Sequence, residues 1–127
     1  MIDQLVTFET ARLAKEKEFK ITTLDGFDEK GVDLFNKNYF TNWNGRRSEI
    51  KDRSFYSRPK QSSLQNWLRE VHDIDLIVYP SFMGKIKNYY YVIIKDRNFD
   101  NVLQGETNNH SFEDALELGL QEALKII

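Results

Sequence analysis

A chain of 127 residues with a formal net charge of −2, 40% hydrophobic and 30% charged, has the make-up of one ordinary globular domain able to close a single core. It has no cysteine and only two histidines, His72 and His110, which excludes disulfides, thiolate metal sites and cysteine nucleophiles together. No apolar run approaches the roughly 20 residues of a membrane helix. The start of the chain lacks the basic flank and apolar stretch of a secretory signal, so a cytoplasmic protein without membrane contact is expected.

Thr7 is a fair helix cap, and Phe8, Ala11 and Ala14 follow at three-residue spacing with Glu9 in the first turn, which predicts a helix fraying near Glu18. Phe19 to Leu24 alternates and is β-branched, predicting a strand that ends at an Asp25-Gly26 turn. Gly31 and Asn44-Gly45 mark turns. Val32 to Phe35 is too short to type, and residues 36–60 read as an irregular basic–aromatic loop. So long a loop in a compact domain implies a function, mobility or a hidden strand.

The second half is more regular. Leu64, Trp67, Leu68 and Val71 form one apolar stripe on a helix over Gln61–Asp73. Ile74 to Tyr79 alternates as a strand that Pro80 ends, with a turn over Ser81–Lys85. Asn88 to Ile94 directs Tyr89, Tyr91 and Ile93 one way and Tyr90, Val92 and Ile94 the other; with both sides apolar, it reads as an interior strand. After the polar turn at Asp96 to Asn98, residues 101–104 suggest a short last strand. Ser111 caps a final helix whose apolar side includes Phe112, Leu116, Leu120, Leu124 and Ile127. Gly119, in the middle of that helix, costs about 1 kcal/mol relative to alanine, which points to a close backbone approach.

These elements predict an α+β fold: a small, mainly antiparallel sheet with two or three helices packed largely on one face, its C-terminal part ordered helix–strand–strand–strand–helix. That order is also the topology of double-stranded-RNA-binding domains. Such domains place lysines at the start of the last helix, whereas Glu113, Asp114 and Glu117 stand there in this chain, so duplex binding is rejected.

Chemistry-bearing patterns are few. His72, Asp73 and Asp75 lie close in sequence but run from a helix end into a strand, where side chains diverge, so a structural histidine is favoured over a ligand. Ser62-Ser63 suit a helix start, with no nucleophile elbow around them. The acidic residues of the last helix suit a solvated face. No catalytic residue, metal or cofactor is expected, and the chain is read as a non-enzyme.

The strongest functional candidate is the stretch from Trp43 through Arg46, Arg47, Arg53, Phe55 and Tyr56 to Arg58. Residues 46–60 hold six basic side chains against two acidic, while residues 96–127 hold two basic against seven acidic. Aromatic platforms interleaved with arginine suit single-stranded nucleic acid, where stacking supplies about 1–3 kcal/mol per base. The competing reading tucks those rings into the core and leaves the charges in water; it is preferred, because phosphate binding draws on a wider positive field. Tyr79, with either Tyr90 or the Tyr89/Tyr91 pair, forms a second candidate. Two or three helices crowded on one sheet face would leave aromatic surface for a protein partner or a second copy.

Three blocks of the chain, Val6–Lys17, Gln61–His72 and Phe112–Leu124, resemble a family of small uncharacterised proteins from gut bacteria and their prophages. The resemblance implies a mobile-element context and carries no activity or site residues. The expectation is a non-enzymatic binding or accessory protein acting through protein contacts, with weak single-strand binding through residues 43–58 as the alternative.

Overall fold

Thr7 begins the first helix as its spacing suggests: the Thr7 hydroxyl accepts from the Thr10 amide, and α1 runs Phe8–Glu16 with Thr10, Ala11 and Ala14 buried. The computed structural model describes residues 3–35, 40–46, 54–83, 86–98, 102–105 and 110–127. The chain divides into two compact units, one formed by Leu5–Lys60 and the other by Met1–Gln4 with Gln61–Ile127.

In the Leu5–Lys60 unit, three short strands form an antiparallel sheet in the order β2 (Asp33–Phe35), β1 (Asp25–Phe27), β3 (Tyr56–Ser57). The expected strand over residues 19–24 is not there; of these residues only Thr23 pairs, in an isolated bridge to Thr41. Asp25-Gly26 is part of β1 and not a turn. Gly26 is needed because the Trp43 ring lies against it: a Cβ would stand 2.5 Å from Trp43 Cδ2. Trp43 opens a single 3₁₀ turn, Trp43–Gly45, and β3 falls inside the stretch expected to be irregular. Residues 36–39 and 47–53 of that stretch lie outside the described residues.

In the other unit, α2 (Gln61–His72) leads into β4 (Ile74–Met83), β5 (Ile86–Lys95), β6 (Val102–Gln104) and α3 (Phe112–Lys125). The second sheet is antiparallel in the order β4-β5-β6, with β5 in the interior. The fold is thus α+β with the expected C-terminal order, and it carries two three-stranded sheets among the described residues. Pro80 does not end its strand. It pairs with Tyr89, and β4 continues to Met83, because an edge strand tolerates a residue with no N–H to donate.

The β4–β5 register sets Leu76 beside Ile93, and Val78 beside Tyr91, on one side of the sheet. That side meets α3. A Cβ on Gly119 would lie 2.6 Å from Leu76 Cδ1 and 3.1 Å from Tyr91 Cβ. Helix α2 packs against β4 and α3, burying Leu64, Trp67 and Leu68, so the core holds Ile74, Leu76 and Ile93 under both helices. Val71, expected on this stripe, is instead 60% exposed, and His72 stands edge-on to Trp67 at 4.7 Å between ring centroids. Ser111 caps α3 through its hydroxyl, 3.1 Å from the Asp114 amide.

Candidate functional site

The basic and aromatic residues of the first unit pair with one another. Arg46 lies over both the Trp43 and Phe55 rings, at 5.2 and 4.9 Å from their centroids. Arg58 covers Phe27 at 4.6 Å, Lys15 covers Tyr56 at 4.7 Å and Arg12 covers Phe8 at 5.9 Å. The rings that would have to stack on bases are in the core: Trp43 is 3% and Phe55 6% exposed. This fits the preferred reading, with the rings in the core, and corrects the placing of Trp43 and Phe55 among exposed contact residues. Their burial follows from Gly26, which admits the indole, and from the Trp43 Nε1–H, which donates to the Thr23 carbonyl at 3.2 Å. Tyr56 is half-buried against Phe8.

Arg58 is equally committed to the fold. Its Nε donates to the Val6 carbonyl at 2.9 Å and its Nη1 to Asp33 Oδ1 at 2.7 Å. Arg46 is exposed, whereas Arg47 and Arg53 lie outside the described residues. Sequence reading missed Asn44, whose side chain donates to the Phe19 carbonyl and accepts from the Ser57 amide, each at 2.8 Å. An asparagine before a glycine signals a turn, and that signal hid its role as a link between three segments.

The second candidate is better formed. Register places Ile77, Tyr79, Tyr90, Val92, Ile94 and Val102 on the side of the β4-β5-β6 sheet opposite Leu76 and Ile93. Tyr79 and Tyr90 are direct cross-strand partners with stacked rings, centroids 5.6 Å apart and planes 26° apart. Tyr79 is 42% and Val102 41% exposed, and the other four are half-buried. The alternative tyrosines are otherwise engaged: Tyr89 meets Phe112 edge-on at 6.3 Å, and Tyr91 is wedged between Gly105 and Gly119.

Asp75 is the one charged residue on this face among the described residues, and it pairs with Arg69 at 3.4 Å. The β4 edge is partly closed, because Gln65 Nε2 donates to the Leu76 carbonyl at 2.6 Å and Pro80 offers no N–H. The face, more than the edge, is therefore open to a partner. The His72-Asp73-Asp75 string is dispersed, Asp73 pairing with Arg97 at 3.4 Å, and no group of three His, Asp or Glu converges on a common point among the described residues. No helix among the described residues is long and apolar enough to cross a membrane.

Comparison with protein-family models, with curated proteins and with solved structures finds no significant match to this chain.

Proposed function

We propose that the protein is a non-enzymatic binding protein that works through protein–protein contacts on the Tyr79/Tyr90 face, with a second copy of itself as the partner. The observation carrying this reading is the stacked tyrosine pair, set among Ile77, Val92, Ile94 and Val102 on the side of the sheet opposite α3. Contiguous exposed apolar surface of this kind marks contact sites, and tyrosine combines large contact area with a polar tip.

Self-pairing is supported by charge. A two-fold contact sets the same patch of both copies against itself, and among the described residues of this face only Asp75 carries charge, already answered by Arg69. Two such faces can pack sheet on sheet without opposing like charges.

The chain has no cysteine, which permits a clean test. A Tyr79→Cys variant treated with a short bismaleimide should yield covalent dimer, while a cysteine at exposed Lys30 should not. Equal yields from the two positions would count against the face.

A further inference from the structure

A separate feature lies in the Leu5–Lys60 unit, independent of the tyrosine face. Arg12, Lys15 and Glu16 on α1, together with Ser54 and Tyr56, line an open cleft of roughly 410 Å³, within the range of about 300–1,000 Å³ common for small-molecule sites. Lys15 is half-buried at its wall. Its Nζ donates to the Phe55 carbonyl at 3.0 Å and stands 4.7 Å from the Tyr56 ring centroid. Among the described residues no carboxylate pairs with it: the Phe55 carbonyl and the Tyr56 ring face meet the ammonium, and two of its three N–H donors have no oxygen acceptor there. Burial without a counter-ion lowers the Lys15 pKa from its ordinary value.

The rest of the cleft has the same bias. Among the described residues the Ser54 and Tyr56 hydroxyls make no hydrogen bond, and Arg12 is held only by a 3.5 Å contact to Glu9 and by the Phe8 ring. We infer that this cleft binds a small monoanionic carboxylic acid, its carboxylate on the Lys15 ammonium and Arg12 guanidinium and a neighbouring hydroxyl or amine on Glu16. Glu16 selects the charge. Among the described lining residues, two cations and one carboxylate sum to +1, which suits a monoanion, while the second charge of a phosphate dianion is opposed by the Glu16 carboxylate. Ser54 and Tyr56 supply further donors to the carboxylate oxygens.

The test is an NMR titration of the Lys15 Cε resonance with lactate, inorganic phosphate and chloride in parallel. Lactate should give a saturable shift and raise the Lys15 pKa, with phosphate weaker at equal ionic strength. Lys15→Gln or Arg12→Gln should weaken lactate binding at least tenfold, whereas Lys20→Gln leaves it unchanged. Glu16→Gln should reverse the preference toward phosphate. A linear shift shared by all three anions, a wild-type preference for phosphate, or an equal loss in Lys20→Gln would each overturn the assignment. The wild-type titration decides the matter even where a substitution impairs folding, and its outcome is independent of self-association through Tyr79.

Discussion

Gly119 of α3 lies so close to Leu76 of β4 that a methyl group in place of its hydrogen would sit 2.6 Å from Leu76 Cδ1. In an isolated helix Gly119→Ala would gain about 1 kcal/mol. Here Leu76 is 2% exposed and the added group would also lie 3.1 Å from Tyr91 Cβ, so the neighbours have little room to give. Overpacking of this kind costs about 1–3 kcal/mol. The expected result is net destabilisation in chemical denaturation; a variant more stable than wild type would show that α3 can slide.

Leu120, one residue on, is fully buried. Leu120→Ala should lower stability by about 2–5 kcal/mol, as a large-to-small change that leaves a cavity. An unmoved denaturation midpoint would make this helix peripheral, contrary to its packing on β4 and β5.

Trp43 separates a core role from a nucleic-acid role. With the indole buried against Gly26, Trp43→Ala should cost about 3–5 kcal/mol. A fluorescent single-stranded oligonucleotide at low salt should show no anisotropy change with the wild-type protein. Sub-micromolar binding that collapses with salt and is lost in a folded Trp43→Ala variant would restore the stacking reading.

Lys15 links the first unit to pH. Its folded-state pKa is lowered by burial, so holding the charged ammonium in the fold costs stability. As pH rises through the folded pKa toward the ordinary lysine value, the unfolded chain binds more protons and stability should increase; on returning below the folded pKa that increment is lost. Among the described residues, the groups around it are Arg12, Glu16 and Tyr56 in the cleft, with Glu18 and Lys20 in the neighbouring depression. The comparison is Lys15→Met against Lys15, both in a Tyr56→Phe background that removes the neighbouring phenol. The alkaline increment should be present only where Lys15 is kept.

The second unit was the more legible part of the sequence because its elements are long and periodic. The alternation from Tyr89 to Ile94 gave both faces of β5, and Gly119 was already read as a close approach. Val71 was misplaced because periodicity defines a stripe without saying where along the helix the packing stops. Asp25-Gly26 shows the opposite error: glycine is a turn signal locally, yet this one makes room for a tryptophan 17 positions further along the chain, and only tertiary structure reveals that. The basic–aromatic stretch admits two readings for a related reason, and burial favours the preferred one, with Trp43 and Phe55 in the core. Arginine beside tryptophan has the same pattern whether the ring faces a base or the core, and burial alone separates the two. The surplus of apolar surface at the tyrosines is legible in the sequence, but the choice of Tyr90 over the Tyr89/Tyr91 pair as the companion of Tyr79 depends on where α3 lies.

The contact role of the Tyr79/Tyr90 face is tested most directly by sedimentation velocity of the wild type and of Tyr90→Glu across a hundredfold range of concentration. A charge at position 90 lies on the stacked pair and away from the helix-packed core, so the monomer should remain folded by circular dichroism. The wild type should shift from monomer to dimer as concentration rises, and Tyr90→Glu should stay monomeric throughout. A wild type that remains monomeric over the whole range, or a Tyr90→Glu variant that dimerises equally well, would contradict self-association through this face.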